Sequence, residues 1–125
     1  MLAVTLIVPD YDPAIRFFCD VMGFSLIEDR DEGHKRWVTV APAAGGVKLV
    51  LARAEDAAQR QAIGNQGGGR VWLFLECDDF AARHARMQAA GVIFEEAPRH
   101  ESYGTVAVWR DPWGNRWDLL QPREA

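Results

Sequence analysis

One order of elements is written twice along this chain of 125 residues, and that repetition limits the fold more than any other feature. Val4-Thr5-Leu6-Ile7-Val8 is apolar and β-branched and runs into Pro9-Asp10, which predicts a strand closed by a turn. Asp12 and Pro13 then read as a helix start. The carboxylate can accept orphan backbone N–H groups, and proline has its φ already set for helix. Ile15, Phe18, Cys19 and Met22 fall at i, i+3, i+4 and i+7 as one apolar stripe, and Gly23 can close the helix in a left-handed cap. Three strands are predicted next, Phe24 to Glu28, Arg36 to Val40 and Val47 to Leu51, separated by Asp/Glu/Gly and Pro/Gly/Ala turns. From residue 71 the order returns. It runs as strand Val71 to Glu76, Asp78 or Asp79 as N-cap, helix Phe80 to Ala90 and Gly91 as cap. Strands Val92 to Glu95, Thr105 to Arg110 and Arg116 to Gln121 complete it, the last two joined by the turn Asp111-Pro112-Trp113-Gly114.

A single βαβββ unit buries only one face of its sheet, so two of them are expected to pair. The prediction is an α+β domain, with paired βαβββ modules forming a curved mixed sheet around a central cleft. Its expected limits are 1–125, with module one at 1–54, a linker loop at 55–69 and module two at 70–122. The linker begins with an Ala/Gln/Arg-rich stretch that reads as a short helix and ends in Gly64-Asn65-Gln66-Gly67-Gly68-Gly69, read as a flexible lid or a tight turn. A phosphate loop of the usual kind follows a strand and opens a helix; this one precedes a strand, which argues against phosphate.

Composition narrows the function classes. A charged fraction of 26% and a formal net charge of −4 give no electrostatic reason to seek nucleic acid or anionic lipid. The longest apolar runs, such as Val71 to Leu75, fall far short of the ~20 residues of a membrane-spanning helix. Met1 to Leu6 lacks a basic n-region and a small-residue cleavage site, so a cytoplasmic protein is expected. Cys19 and Cys77 are too few and too far apart for a disulfide framework and read as small core residues. No Ser-His-Asp or Cys-His arrangement can be built, since serines are scarce and neither cysteine has a base beside it.

Three stretches carry a family likeness: Asp10 through Gly23-Phe24, Asp78-Asp79-Phe80 through Gly91-Val92, and Asp111-Pro112-Trp113-Gly114-Asn115-Arg116-Trp117-Asp118-Leu119-Leu120-Gln121. In that order the chain resembles the glyoxalase/bleomycin resistance protein/dioxygenase (vicinal oxygen chelate) superfamily over almost its whole length. The resemblance implies the paired-module fold, a homodimer and a small-molecule ligand. Metal-dependent members hold a divalent ion with His, Glu, His and Glu from the first, fourth, fifth and eighth strands. The matching positions here are Ala3, Leu49 (or Val50), Trp72 and Asp118, so only Asp118 keeps a donor. One carboxylate cannot furnish the three or four donors that Zn²⁺, Ni²⁺, Mn²⁺ or Fe²⁺ require, so no cofactor and no divalent metal is expected. His34, His84 and His100 stand in a polar turn, on the second helix among arginines, and in another turn, and do not restore a ligand set.

The candidate ligand contacts are Trp72, Phe74, Leu51, Arg53, Tyr103 and Arg116. Strand alternation puts Asp118 on one face with Arg116 and Leu120, which the resemblance makes the concave face. There desolvation would raise its pKa and equip it as a base or an anchor; the alternative is a plain ion pair with Arg116, Arg70 or Arg53. Trp72 would fill the old ligand position with an indole, making a stacking platform, although an aromatic at strand spacing is more often core. Two function classes follow. One is a metal-free binder of a small, aromatic organic molecule, as in bleomycin resistance; the other is a lyase or isomerase of the glyoxalase type, or a dioxygenase-like enzyme, using Asp118. A third reading gives the aromatic surplus, five tryptophans among it, to a protein partner.

Overall fold

Each half of the chain builds a mixed sheet around one parallel pair of strands, of four strands in the first half and five in the second. The computed structural model describes residues 2–124; Met1 and Ala125, which the expected limits 1–125 include, lie outside the described residues. The chain divides after Ile63 into two compact units. The expected linker is therefore not a separate segment. Its helix, α2 (Ala57–Ala62), belongs to the first unit and its glycine run to the second.

In the first unit β1 (Ala3–Val8), β2 (Ser25–Asp31), β3 (Arg36–Ala41) and β4 (Lys48–Arg53) lie in the order β1-β4-β3-β2, with β1 parallel to β4 and the other pairs antiparallel. Leu6 pairs with Leu51, and Val38 with Leu51, so these side chains share one face with Val8, Val40 and Leu49. All six are buried, as are Tyr11, Ala14, Phe18 and Met22 of the helical segment packed against that face. The helix starts two residues earlier than predicted. Asp10, extended at φ −157°, accepts from the Tyr11 amide at 2.8 Å and is the N-cap of α1 (Tyr11–Ile15). Asp12 is instead a first-turn residue whose carboxylate pairs with Arg36 Nη1 at 2.8 Å, and Pro13 still falls in the first turn, where its missing N–H costs nothing. Beyond Ile15 the helix widens to π geometry over Arg16–Val21, ending with Met22 donating to Phe17 O. Gly23 closes it at φ +74°, as predicted.

The second unit orders β5 (Val71–Glu76), β9 (Arg116–Pro122), β8 (Gly104–Arg110) and β6 (Ile93–Phe94) side by side, with β7 (Arg99–Glu101) also on β8 and β5 parallel to β9. Trp109 faces Trp117 across β8 and β9, their rings stacked at 4.8 Å, and Ala107 faces Leu119 on the same side. With Leu75, and with Phe80 and Met87 of α3 (Phe80–Ala89), they form the buried core. Asp79 caps α3 through the Ala82 amide, and Gln121 Oε1 accepts from the Phe80 amide at 2.7 Å, tying the helix start to β9. The expected strand Val92 to Glu95 shrinks to two residues, and β7 was not expected. The cause lies at Val108. Its carbonyl accepts from the Glu95 amide, but its N–H is taken by the Glu96 carboxylate at 2.9 Å, so a side chain replaces the main-chain partner and the edge strand breaks in two.

Among the described residues no helix is long and apolar enough to cross a membrane.

Candidate functional site

The turn before β9 decides which side chains face where. Asp111 is buried, and its Oδ1 accepts from the amides of Trp113, Gly114 and Asn115 while Oδ2 accepts from Asn115 Nδ2 and Trp117 Nε1, all between 2.9 and 3.1 Å. Burial still wins over these donors and pushes its pKa up. With the turn held at one carboxylate, the hairpin register is fixed: Trp117 goes to the core and Asp118 to the opposite face, between Val108 on β8 and Phe74 on β5.

Asp118 is 9% exposed, and its Oδ1 has no hydrogen-bond partner. Desolvation raises its pKa above the ordinary carboxylate value; the charges of Arg99 and Arg116 oppose the rise and that of Glu96 adds to it. The alternative, an ion pair with Arg116, Arg70 or Arg53, does not form among the described residues. The Arg116 fork closes on Glu95, Nε to Oε2 at 2.9 Å and Nη2 to Oε1 at 3.1 Å, and Nη1 donates to Gly69 O. Arg99, the other cation near Asp118, is likewise engaged, by Glu96 at 2.7 Å and Glu101 at 2.8 Å. The Tyr103 side chain also bonds Arg99, which links it to the same face. Phe74, the cross-strand neighbour of Asp118, is 61% exposed.

Of the sequence-predicted residues, the second unit therefore groups Asp118, Phe74, Arg116 and Tyr103. Trp72 lies near the start of the same strand, where the register shifts between Val71 and Leu73; it packs against Gly67, at which a Cβ would come within 2.7 Å of its own. The first unit holds the others. Leu51 is 1% exposed on the helix-covered face, so it is a packing residue, and the expectation of a ligand contact is corrected. Leu49 shares that buried face, whereas Ala3 and Val50 fall on the other, which makes Val50 rather than Leu49 the position matching Ala3. Arg53 lies 5.1 Å from the centre of the Tyr11 ring, with Arg36 at 5.2 Å, a cation–π role.

The metal-holding positions of the resembled family do not fit a metal here. Ala3, Leu49 or Val50, and Trp72 carry no donor atom suited to a divalent ion, and Asp118 alone cannot build a coordination shell. Among the described residues no three His, Cys, Asp or Glu side chains gather elsewhere. His84 is stacked between Phe80 and Phe94, and His100 Nδ1 meets Thr105 Oγ1 at 3.3 Å.

Two features escaped the sequence reading. Glu96 and Arg99, neither of them a predicted site residue, set the field around Asp118; their i, i+3 spacing is the only available signal. In the first unit Glu28 accepts from Thr39 Oγ1, Arg30 and Lys48, and its pKa is lowered to about 2, chiefly by a hydrogen bond from Trp37 and then by the other three donors against a desolvation penalty. A bulge between Leu26 and Glu28 turns it onto that side, and no local motif announces it.

The comparisons agree with the topology. Residues 1–119 match the model of the Glyoxalase/Bleomycin resistance protein/Dioxygenase superfamily. An uncharacterized protein of Shewanella frigidimarina is 51% identical, over 94% of this chain and 90% of its own length. Among solved structures, UcmS2 superposes with a TM-score of 0.82 at 31% identity, covering 96% of each chain. TnmS3, described as an antibiotic binding protein from Streptomyces sp. CB03234, gives 0.74 at 32% identity, covering 95% of this chain and 93% of its own.

Proposed function

As the chain belongs to the Glyoxalase/Bleomycin resistance protein/Dioxygenase superfamily, we propose that it binds a small, flat, partly aromatic organic molecule and sequesters it without a bound metal. The observation that carries this reading is the pairing of Phe74, an aromatic ring 61% exposed, with a buried carboxylate whose Oδ1 lacks a partner, on adjacent strands and on one face. An exposed ring offers a stacking surface, and an unpartnered acceptor rewards a ligand hydroxyl or amine that can donate to it. The likeness to an antibiotic-binding protein at 32% identity supports the same class of ligand. A homodimer is part of the proposal.

The test is a fluorescence titration with bleomycin and a panel of hydroxylated polycyclic aromatic antibiotics, following tryptophan emission. Saturable quenching is expected, weakened about tenfold or more in Phe74→Ala, a loss of about 1.4 kcal/mol. Absence of saturable binding by every compound, or binding indifferent to Phe74→Ala, refutes the reading.

The raised pKa of Asp118 supports a second reading, an isomerase or lyase in which this carboxylate is the base. Asp118→Asn separates the two: it abolishes turnover by a base, whereas a binder keeps much of its affinity for an uncharged aromatic ligand.

A further inference from the structure

A concavity in the second unit lies outside the Phe74–Asp118 pairing. It is a depression of about 110 Å³ between the glycine run and the turn before β9, lined by Gly64, Gly67, Gly69, Asn115 and the arginines Arg70, Arg110 and Arg116, with Asn65 and Gly114 completing the wall. We infer that this pocket binds a small oxyanion, a carboxylate or a phosphate.

Charge is the first argument. Arg110 and Arg116 share one carboxylate, Glu95, each through its Nε at 2.9 Å, and Arg70 makes no ion pair among the described residues. Two of the three guanidiniums thus share one carboxylate, the third has none, and the lining holds no acidic residue. The sharing also leaves donors over. Arg116 spends one N–H on Gly69 O and Arg110 one on Gly114 O, which leaves N–H bonds on both forks and the whole fork of Arg70 for an incoming anion.

Rigidity is the second. The glycine run is no lid. A Cβ on Gly64 would lie 1.8 Å from the Trp113 carbonyl oxygen, and one on Gly67 2.7 Å from Trp72 Cβ, so the loop is pinned to the β9 turn at one point and to β5 at another. The Gly68 amide donates back to Asn65 O and the Arg70 amide to Gly67 O, which closes it into consecutive turns. The opposite wall is the turn gathered on Asp111. A preorganised rim lowers the ordering cost of binding a small ion.

A third observation is independent of the arginines. Asn115 is 2% exposed, lines the pocket, and has its Oδ1 buried without a partner, although its Nδ2 is spent on Asp111. An amide oxygen only accepts, so it is satisfied by a water or by the protonated oxygen of a phosphate, and offers nothing to an ionised carboxylate. The space accommodates a single small anion with its water. The usual phosphate loop is not what is present here: the donors are guanidiniums, and the glycines supply only the close approach of chains.

The test is an NMR titration of the intact, ¹⁵N-labelled protein with inorganic phosphate and, separately, with acetate at constant ionic strength. The expected result is saturable shifts confined to the Gly64, Gly67 and Gly69 amides and the Nε groups of Arg70, Arg110 and Arg116. Arg70→Gln and Arg110→Gln should each weaken binding by about tenfold with the rest of the spectrum unchanged. Saturation by phosphate alone assigns a phosphate site and saturation by acetate as well a carboxylate-tolerant one, both within the inference. Shifts that are scattered and never saturate, or binding unaltered in both variants, overturn it. Neither anion is aromatic and neither readout involves Phe74, so this result stands apart from that of the antibiotic titration.

Discussion

Replacing Asp118 with leucine should make the protein more stable and at the same time remove its proposed ligand anchor. The carboxylate is 9% exposed, one oxygen has no partner, and the nearby cations are already neutralised by other acids, Arg99 by Glu96 and Glu101 and Arg116 by Glu95. Removing the charge therefore strands no arginine. What is regained is the cost of an unmet buried acceptor, about 1–3 kcal/mol, and leucine fills a similar volume between Val108 and Phe74. At roughly 4 °C per kcal/mol for a chain of this size, Tm at pH 7 should rise by about 4–12 °C. The pH dependence carries a sign. The folded-state pKa lies above the ordinary 3.8, so between those two values the native state holds more protons than the unfolded chain and wild-type stability falls as pH rises. The leucine variant lacks that loss, so its advantage should be full at neutral pH and shrink as pH falls through the raised pKa towards 3.8. Urea unfolding of both proteins across this range measures it. A destabilised variant, or an advantage that does not change with pH, refutes the claim that burial of this charge is what the fold tolerates for function.

Three further substitutions probe the frame. Gly64→Ala should cost several kcal/mol in urea unfolding, because its Cβ would overlap the Trp113 carbonyl oxygen, while Gly68→Ala, with nothing within 4 Å, should cost only the ~1–2 kcal/mol of a left-handed residue. Glu28→Gln should lower Tm at neutral pH. Because the folded pKa of Glu28 is about 2 against 4.5 for the free group, its contribution is present above 4.5 and lost as pH falls towards 2, so the gap between wild type and variant should close over that interval.

The strand and helix order was legible because its signals are local. Apolar runs ended at turn residues, Gly23 and Gly91 stood where a left-handed cap was needed, and Asp111-Pro112-Trp113-Gly114 marked the last hairpin. Two details escaped for physical reasons. A carboxylate that replaces a main-chain acceptor, as Glu96 does at Val108, splits a strand without leaving any periodicity to read. The π turn after Ile15 is a register change that the i, i+3, i+4 stripe cannot announce. At the site, alternation puts Asp118 and Arg116 on one face but leaves open whether they pair, since nothing in the sequence says that Glu95, 21 positions before Arg116, reaches the guanidinium first. Leu51 went wrong for a related reason: which face of β4 the helix covers depends on pairing with β1 and β3, and a single strand does not contain that information.

The knot of five hydrogen bonds on Asp111 bears on how such a chain can change its chemistry. It works as an index pin: it sets the offset between β8 and β9 from the turn that joins them, through the buried carboxylate of Asp111. Positions such as 72, 74, 116 and 118 are thereby free to exchange donors for rings or arginines without moving the strands that carry them. A scaffold keyed in this way can lose an entire ligand set and still present four addressable positions to whatever binds next.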